Sequence, residues 1–295
     1  MMPDLSQLKG KTVLITGSTG LIGSNLFKSI TEVNVQLYAP THSSMDRNYD
    51  FPQADIILHL AGFGQPALFM ANPIDTIRIN TEITLHLLRS LKHGGSFLFC
   101  SSTEVYNGLD KVATEDDIGT TNPSHPRACY IESKRCGEAI VNAFRQAGVR
   151  AISARIAPTY GPGTRKHDTK AMSQFIEAAL VNKKIVLQDS GKAVRTYGYV
   201  TDVIEMLWSV ILQGVQPIYN VGGHSVTTIA DLAKKIGALT GAEVVIPEGE
   251  EDQIGGAKVV KLDLTRIETE FGKTDYVSLD EGLAKTIEYQ RGLYA

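Results

Sequence analysis

Short apolar runs rich in β-branched residues alternate with amphipathic segments along the first half of this 295-residue chain. Such runs predict strands, and apolar residues at helical spacing predict the helices between them. Strands that alternate with helices predict an α/β fold with a doubly wound parallel sheet. The interval between the second and third strands is too short for a full crossover, so one βα unit is predicted to be shortened. The predicted strands are Thr12–Thr16, Val35–Ala39, Ile56–Leu60, Ser96–Cys100 and Ala151–Arg155, and the predicted helices run from about Leu21 to Glu32, from about Asn80 to Leu91 and over Tyr130–Gln146.

The second half of the chain has a less regular pattern, opened by a turn signal at Tyr160–Gly163. Thr228 with Asp231 marks a helix start, because an acidic group in the first turn suits the helix dipole. We interpret this half as a smaller, interleaved C-terminal substrate domain of residues 163–198 and 224–295, beside a larger domain of residues 1–162 with about 199–223. The predicted helices are Ser173–Asn182, one after Asp202, Ile229–Thr240 and Asp280–Arg291, and the predicted strands are Ile185–Gln188 and Ile218–Val221.

The composition is that of an ordinary globular protein, with 43% hydrophobic and 21% charged residues. A formal net charge of -3 gives no sign of a nucleic-acid or membrane partner, so local groups must hold any anionic ligand. No apolar run approaches the roughly 20 residues of a membrane span, and residues 1–11 lack the apolar segment of a signal peptide. Cys100, Cys129 and Cys136 have no metal-ligand or CxxC spacing. We therefore expect buried thiols, no metal and a cytoplasmic location.

Three glycines lie where the first predicted strand meets the first predicted helix. The segment Thr12–Gly23 reads TVLITGSTGLIG, with Gly17, Gly20 and Gly23 around the turn. The first glycine permits the tight turn, the second lets the backbone approach a pyrophosphate, and the third lets helix and strand pack closely. The free N–H groups of the helix then face the phosphates. The pattern predicts a Rossmann-like dinucleotide site in the larger domain.

The residues after the second predicted strand do not decide between NAD and NADP. A carboxylate there would bind the ribose hydroxyls, but residues 38–43 read YAPTHS and contain no acid. The last three of these residues could receive a 2′-phosphate or be plain loop residues. Downstream, Asp50 and Phe51 are candidates for holding the adenine, with the carboxylate accepting from the exocyclic amine.

Tyr130 and Lys134 form a YxxxK pair, whose spacing puts both side chains on one face of a helix. A free tyrosine has a pKa of about 10, and a nearby ammonium favours the phenolate and can also bond the cofactor ribose. Ser102 follows a predicted strand, and its hydroxyl can bond the substrate hydroxyl that Tyr130 deprotonates. The order of glycine turn, serine and YxxxK predicts a catalytic triad.

Glu104 lies two residues after Ser102, just beyond the carboxyl end of that strand. The active sites of doubly wound sheets lie at this edge. A third acid/base group there allows more chemistry than a simple redox step needs. The plainer alternative is a solvated loop glutamate.

Together these motifs resemble the extended short-chain dehydrogenase/reductases that act on nucleotide sugars as epimerases, dehydratases and decarboxylases. The glycine turn, the strand end His59-Leu60-Ala61, Asn80, Ser102, YxxxK and the YGPG of Tyr160–Gly163 occur in that family's order. Within the family the sequence is most similar to UDP-glucuronate decarboxylases. The similar stretches read HLAGFGQPALFMANPIDTIRIN over His59–Asn80, NPSHPRACYIESKRCGE over Asn122–Glu138, DTKAMSQF over Asp168–Phe175 and VRTYGYVTD over Val194–Asp202.

The resemblance implies a tightly held NAD that is reused in each turnover, a nucleotide-sugar substrate, and a homodimer formed through two helices of each subunit. By position it assigns the chemistry to Ser102, Glu104, Tyr130 and Lys134. It implies cofactor contacts at Gly17, Thr19, Gly20, Leu21, Ile22, Gly23, Leu60, Ala61, Asn80, Tyr130, Lys134 and Ala157. It implies substrate contacts at Thr103, Pro158, Lys170, Phe175 and Arg195, of which Lys170 and Arg195 would face the nucleotide phosphates.

Four departures from the decarboxylase pattern bear on the substrate. Lys170 replaces an arginine, so a bidentate phosphate fork becomes a point charge. Pro158 replaces an asparagine that contacts the sugar diphosphate, Phe69 replaces a tyrosine, and Asn107 replaces a glycine.

The favoured reaction is transient oxidation at C4 of the sugar, which lets a uronic acid lose CO2. Three alternatives stay open: a 4,6-dehydratase in which Glu104 takes the C5 proton, a 4-epimerase, and a 4-keto-sugar reductase with NADPH. Thr103 stands where many glucose dehydratases carry aspartate, whereas mannose-type dehydratases have a hydroxyl residue there. A non-catalytic dinucleotide-binding sensor is the remaining alternative, and the presence of both Tyr130 and Lys134 argues against it.

Overall fold

The computed structural model describes residues 2–39, 49–248 and 256–295. Six parallel strands form its central sheet: β1 (Thr12–Thr16), β2 (Gln36–Tyr38), β3 (Ala54–His59), β4 (Leu91–Ser102), β6 (Arg150–Ile156) and β10 (Ile218–Val221). Their order is β10-β6-β4-β3-β1-β2, so the chain moves outward from β1 in both directions. The apolar strands are buried because helices cover both faces of the sheet. The predicted doubly wound parallel sheet is confirmed.

Two hydrophobic cores lie on the two faces of this sheet. Helices α1 (Leu21–Ser29), α7 (Val200–Gln213) and α9 (Thr265–Phe271) contribute to one of them, which contains the fully buried Trp208. The other core takes residues from α4 (Thr84–Arg89), α5 (Ala128–Gln146) and a π-helix over Ile79–Ile83. Two short helices, α2 (Pro66–Ala71) and α3 (Pro73–Arg78), lead into the π-helix.

The C-terminal part of the chain builds a third core. Helices α6 (Ala171–Asn182), α8 (Ile229–Thr240) and α10 (Leu279–Tyr294) pack against one another around Ile176, Leu232 and Leu283. A five-stranded sheet in the order β11-β9-β13-β5, with β7 paired to β9, joins this part to the central sheet. Its strands are β5 (Val112–Ala113), β7 (Thr159–Tyr160), β9 (Val194–Tyr199), β11 (Ser225–Thr228) and β13 (Val259–Leu262), and a separate pair is formed by β8 (Lys184–Val186) and β12 (Glu243–Val245).

Most predicted elements are present, with shifts at their ends. Thr12–Thr16, Ile218–Val221 and Ile229–Thr240 have the predicted bounds, and the Thr228 hydroxyl accepts the Asp231 amide as an N-cap. The helix predicted over about Asn80–Leu91 is present as helical structure from Ile79 to Arg89, but as a π-helix followed by α4 and not as a single α-helix. Helical structure begins before it at Pro73, where proline suits a first helical turn, and passes through the π-helix into α4.

The connection from β2 to β3 includes residues 40–48, which lie outside the described ranges. The shortened βα unit and the candidate 2′-phosphate residues Thr41–Ser43 therefore stay predictions. In the described ranges β2 pairs with β1, and β1 pairs with β3 on its other side.

The three cysteines differ in their exposure. Cys100 is buried and Cys129 is half-buried, but Cys136 is exposed on the outward face of α5, so the prediction of buried thiols is wrong for Cys136. Over the ranges that the structure covers, every helix is too short or too polar to cross a membrane. The same ranges contain no group of three His, Cys, Asp or Glu side chains that could hold a metal ion.

Candidate active site

The turn between β1 and α1 leaves its backbone open to a ligand. Gly17 has a φ of 71°, in the left-handed region that favours glycine. A Cβ at Gly17 would lie 2.8 Å from the Ala61 nitrogen, and a Cβ at Gly23 would lie 2.2 Å from the Gly17 carbonyl oxygen. The chain therefore has room only for hydrogen at both positions. Gly20 caps α1 without a side-chain hydrogen bond, which leaves the first amides of the helix available to an anion.

A cavity of about 1350 Å³ extends from this turn to the C-terminal part of the molecule. Its walls bring together most of the residues singled out in the sequence. On the dinucleotide side they are Gly17, Thr19, Gly20, Leu21, Ile22, Gly23, Leu60, Ala61, Tyr130, Lys134 and Ala157. Towards the C-terminal part they are Ser102, Thr103, Glu104, Pro158, Lys170, Phe175 and Arg195. The contacts that these residues make with ligands stay predictions.

Asp50 and Phe51 lie away from the walls of this cavity. The Phe51 ring is buried in the core beside the sheet, with ring centroids 4.8 Å from Tyr49 and 5.2 Å from His86. Asp50 is exposed. This placement gives no support to an adenine contact by the two side chains, which stays a prediction.

Asn80 is buried just behind the cavity wall, in the π-helix. Its Nδ2 donates to Ser133 Oγ at 2.9 Å, and Ser133 Oγ donates to the Tyr130 carbonyl at 3.1 Å. Its Oδ1 is buried and has no partner among the described residues. This oxygen and Lys134 Nζ stand 3.8 and 4.0 Å from where a Cβ on Gly62 would be. The turn of Gly17, Gly20 and Gly23 and the unpaired Asn80 oxygen fit a bound dinucleotide. The π-helix that carries Asn80 agrees with this, because π-turns often mark functional sites.

The end of β4 and the start of α5 carry the side chains of the predicted triad. Ser102 ends β4, and its hydroxyl oxygen accepts the Glu104 amide at 3.2 Å in the short turn that follows. Tyr130 and Lys134 lie in the first two turns of α5, and Lys134 Nζ donates to the Cys100 carbonyl at 2.7 Å. The three members of the predicted triad therefore meet at the carboxyl end of β4.

Burial dominates the protonation of the Tyr130–Lys134 pair. Burial raises the pKa of Tyr130 to about 12. The charge of Glu104 also raises this pKa, whereas a hydrogen bond with Ser102 lowers it. Burial lowers the pKa of Lys134 to about 8, although Cys100 and Glu138 act in the opposite direction. The Tyr130 pKa therefore lies above its ordinary value in this arrangement, and the expected stabilisation of the phenolate by Lys134 stays a prediction. Lys134 Nζ is held by the Cys100 carbonyl and lies 5.7 Å from the Tyr130 ring centre.

Phe69 covers the ring of Tyr130. The two rings are stacked with centroids 4.6 Å apart and planes inclined by 10°, and Phe69 is 1% exposed. The position at which the decarboxylase pattern has a tyrosine thus carries an apolar ring that shields the Tyr130 ring from water. This contact helps to explain why burial has so large an effect on Tyr130.

Glu104 is held by a cation that the sequence analysis did not single out. Arg127 Nη1 donates to Glu104 Oε1 at 3.0 Å, and the Arg127 side chain is 4% exposed. Burial lowers the pKa of Arg195, the Glu104 charge opposes that shift and the Arg127 charge adds to it, so the three groups are close in space. Glu104 is therefore a half-buried glutamate paired with Arg127 and not a fully solvated loop residue, and its part in catalysis stays a prediction.

The segment between β7 and α6 ties the two sides of the cavity together. Arg165 Nη2 donates to the Thr19 carbonyl at 2.5 Å, and Thr169 Oγ1 donates to Gln65 Oε1 at 2.6 Å. Lys170 follows this tie, whereas Arg195 lies beside Glu104. Both predicted phosphate cations line the cavity.

The sequence analysis missed several residues of the cavity wall, namely Gln65, Phe69, Arg127, Arg165, Thr169, Lys192 and Lys258. Arg127 had a usable signal, because it is a cation three residues before Tyr130 in the PRACY stretch. Phe69 was noticed only as a substitution. Lys192 and Lys258 lie in irregular segments without a motif.

Comparison with known proteins places this geometry in a family. The profile of the NAD dependent epimerase/dehydratase family matches residues 13–222. UDP-glucuronic acid decarboxylase 1 of Xenopus tropicalis is 32% identical over 314 residues, which cover 97% of this chain and 74% of that protein. MoeE5, solved in complex with UDP-glucuronic acid and NAD, superimposes with a TM-score of 0.81 at 24% identity over 96% of this chain and 99% of its own. UDP-glucose 4-epimerase of Thermotoga maritima, solved with UDP-glucose, superimposes with a TM-score of 0.82 at 24% identity. The superposition covers 96% of this chain and 100% of that protein.

Proposed function

Because the chain belongs to the NAD-dependent epimerase/dehydratase family, we propose that it is an NAD-dependent enzyme that decarboxylates UDP-glucuronate. The observation that carries the reaction is the placement of Glu104, which is paired with Arg127 and close to Arg195, and whose Oε2 is buried without a partner among the described residues. The Arg195 guanidinium suits the carboxylate of a uronic acid, and Glu104 Oε2 suits a water or a sugar hydroxyl. The relative that is 32% identical is named for the same reaction.

The cradle of Gly17, Gly20 and Gly23 would hold the dinucleotide phosphates, and Asn80 and Lys134 would hold its ribose end. Bound there, NAD would accept a hydride from the sugar and return it within the same turnover. The segment that joins Arg165 to Thr19 and Thr169 to Gln65 would retain the dinucleotide between turnovers.

The side chains around C4 move the proton. Tyr130 as phenolate takes the proton of the C4 hydroxyl, while Ser102 orients that hydroxyl. A pKa of about 12 means that the phenol is protonated at neutral pH, so the Lys134 ammonium is needed to favour the phenolate during the reaction. The C4 ketone that results is β to the C6 carboxylate. The C5–C6 bond can then break, releasing CO2 and leaving its electron pair on the ketone oxygen.

Glu104 and the two arginines act after this oxidation. Arg195 holds the carboxylate until it leaves as CO2, and Glu104, whose Oε1 accepts from Arg127, binds the water or hydroxyl next to C5 through Oε2. The water that Glu104 binds would deliver a proton to C5, and the return of the hydride to C4 would complete the conversion to a UDP-pentose. The proton on Tyr130 returns to the C4 oxygen in the last step.

Incubation of the purified protein with UDP-glucuronate, without added cofactor, tests this proposal directly. We expect stoichiometric CO2 and a sugar nucleotide that is lighter by the mass of CO2, measured by mass spectrometry. A C4 epimer without CO2 would identify a 4-epimerase, loss of water from a UDP-hexose a dehydratase, and consumption of NADPH a 4-keto-sugar reductase. A bound dinucleotide with no conversion of any nucleotide sugar would leave the sensor alternative.

A Glu104→Gln variant separates these chemistries further. An epimerase needs only the triad, so this change would leave it active. A decarboxylase needs help beyond C4, so we expect slow overall product formation after an intact first oxidation, with NADH absorbance and a C4-keto sugar accumulating on the enzyme. A variant with normal turnover would contradict the decarboxylase proposal.

We also propose that the protein is a homodimer formed through α3 and α5. These two helices pack side by side, and on α3 the side chains of Ile74 and Ile77 are 77% and 45% exposed. On α5 the exposed residues Cys136, Ala139 and Ala143 recur at helical spacing on one face. Apolar and small side chains that neighbouring helices present together are typical of an interface.

Two further parts of the proposal come from the sequence. Residues 1–162 with about 199–223 would bind the dinucleotide, and residues 163–198 and 224–295 would bind the substrate. Three free cysteines that form no disulfide agree with the proposed cytoplasmic location.

A further inference from the structure

Arg127 joins two parts of the site through its backbone and its side chain. Its carbonyl oxygen accepts hydrogen bonds from the amides of Tyr130 and Ile131, each at 3.1 Å, and thereby begins α5. Its guanidinium donates to Glu104 Oε1 at 3.0 Å. The residue that starts the helix presenting Tyr130 therefore also holds the carboxylate beside Tyr130.

The ion pair between Arg127 and Glu104 is withdrawn from water, with side-chain exposures of 4% and 22%. Exposed ion pairs are mobile and weak, whereas a buried charge-assisted hydrogen bond keeps its partners in one geometry. The backbone of Glu104 is fixed as well, because its amide donates to Ser102 Oγ. Glu104 therefore has one oxygen bound to protein, while Oε2 is buried with no partner among the described residues.

We propose that Arg127 is a positioning residue for Glu104, and that it holds Oε1 so that Oε2 faces the sugar ring. Its charge also offsets that of Glu104, so an anionic sugar can enter beside the carboxylate. Arg195, the second cation of the cluster, then remains to contact the sugar itself. This inference rests on the proposed function only in taking Glu104 to act on the sugar.

Double substitution distinguishes positioning from an independent role. We expect Arg127→Met to lower kcat about 10²-fold, because a displaced catalytic group costs about that much, and to accumulate the same reduced cofactor and keto sugar as Glu104→Gln. The Arg127→Met/Glu104→Gln double variant should be no slower than Glu104→Gln alone, since Arg127 would have nothing left to position. Wild-type kcat in Arg127→Met, or losses that multiply in the double variant, would overturn the proposal.

Two more variants guard against a misfolded protein. Arg127→Lys keeps the charge, and we expect intermediate activity because one ammonium replaces a planar fork. Arg127→Ala leaves a space of guanidinium shape, and added guanidinium ion should restore part of its turnover. Arg145→Met is the matched control. Arg145 lies at the far end of the same helix and donates to the Ala151 and Val215 carbonyls, so this variant should keep wild-type activity and dinucleotide content. Failure of guanidinium to rescue a folded, dinucleotide-loaded Arg127→Ala would count against the proposal.

A measurement without turnover separates this inference from the proposed function. The carboxyl 13C resonance of Glu104, assigned by its loss in Glu104→Gln, should shift between wild type and Arg127→Met. An unchanged resonance would show that Arg127 does not hold Glu104, whatever the reaction. A shifted resonance in a protein that releases no CO2 from UDP-glucuronate would support the pair and refute the decarboxylase.

Discussion

At the scale of single residues, the hydroxyl of Tyr130 bears most directly on the proposed chemistry. Tyr130→Phe removes only that hydroxyl, because the ring can keep its stack on Phe69. We expect kcat to fall by about 10²–10⁴-fold, the usual contribution of a positioned proton-transfer group, while the purified protein keeps its dinucleotide. Tyr289→Phe, at a partly exposed position on α10, is the matched control and should stay fully active. Near-wild-type turnover in Tyr130→Phe would remove Tyr130 from the proposed chemistry.

A buried histidine next to this site predicts how stability depends on pH. His59 Nδ1 lies 2.7 Å from Thr16 Oγ1 and Nε2 lies 3.1 Å from the Ile79 carbonyl. Burial lowers its pKa from 6.5 to about 3, the Lys134 charge adds to this, and the bond to Ile79 opposes it. Between these two values the unfolded chain binds a proton that the folded chain does not. The free energy of unfolding should therefore fall as pH falls from 6.5 towards 3, by at most about 1.4 kcal/mol per unit.

Denaturant titrations of wild type and His59→Gln between pH 7 and pH 4 measure this contribution. The variant loses the contacts to Thr16 and Ile79 and should be less stable at pH 7, but its stability should change less with pH. The difference in slope, not the difference in stability, reports the titration of His59. Parallel pH profiles for the two proteins would mean that other groups cause the acid sensitivity.

The sequence predicted site residues well where all the residues of a motif lie in one short stretch of the chain. The glycine turn and YxxxK each span one local stretch, and the structure puts both in the wall of one cavity. The role of Arg127 could not be predicted, because its partner Glu104 is 23 positions away and their contact requires the end of β4 to meet the start of α5. The raised pKa of Tyr130 could not be predicted for a similar reason, since the Phe69 ring that buries Tyr130 belongs to a helix far away in sequence.

At the scale of elements, the packing of α1 on β1 leads to a prediction about two neighbouring glycines. A Cβ at Gly23 would lie 2.2 Å from the Gly17 carbonyl oxygen, whereas a Cβ at Gly20 would make an ordinary contact of 3.4 Å with the same oxygen. Gly23→Ala must therefore move α1 away from the strand, at a cost of about 1–3 kcal/mol. We expect a clear drop in thermal midpoint and loss of the bound dinucleotide.

Gly20→Ala is the matched control for that experiment. It should leave the thermal midpoint almost unchanged and still weaken the retention of the dinucleotide, because a methyl group would stand where the backbone approaches the phosphates. Calorimetry and the absorbance of released cofactor measure the two effects separately. Equal stability losses in the two variants would mean that the close approach of Gly23 to Gly17 is not what fixes α1.

The secondary-structure elements differ in how well their local sequence predicts them. The helix α8 was predicted to the residue because Thr228 caps it locally and a glycine follows it, Gly241. The series α3, π-helix and α4 was read as one later helix, because the π-turn that buries Asn80 depends on packing against α5 rather than on local propensity. The strand β4 begins five residues before the predicted Ser96, because Leu91 pairs with Ala54 of β3 ahead of an irregular stretch, and the register resumes at Ser96.

At the scale of the whole molecule, the cavity lies where the central sheet meets the C-terminal core. The triad and glycine turn come from the sheet side, and Lys170, Phe175 and Arg195 come from the other. The proposed boundaries between the dinucleotide-binding and substrate-binding domains, at about residues 162, 199 and 223, agree only in part with the boundaries of the hydrophobic cores. Leu264 and Ile267, assigned to the substrate domain, pack in the same core as Trp208 of the central sheet. The two parts therefore share structural elements, which agrees with an interleaved chain.

The proposed homodimer gives the last prediction, because its interface would lie directly behind the catalytic helix. Ile74 and Ile77 project from α3 into solvent, and α3 packs on α5, which carries Tyr130 and Lys134. A second copy that covers these side chains would bury apolar surface worth about 25 cal/mol per Å². Charges placed there would remain unpaired in the interface, so Ile74→Asp/Ile77→Asp should sediment as a monomer where the wild type sediments as a dimer.

Val181→Asp supplies the control, because Val181 is 56% exposed on α6, away from α3 and α5, and this variant should remain dimeric. A wild-type protein that sediments as a monomer at micromolar concentration, or a double variant that keeps the dimer mass, would move the interface elsewhere. Activity of the monomeric variant then bears on the site itself. If α5 depends on its neighbour for rigidity, kcat should fall together with dimer content as the protein is diluted, whereas a site built within one subunit should keep the same specific activity at every concentration.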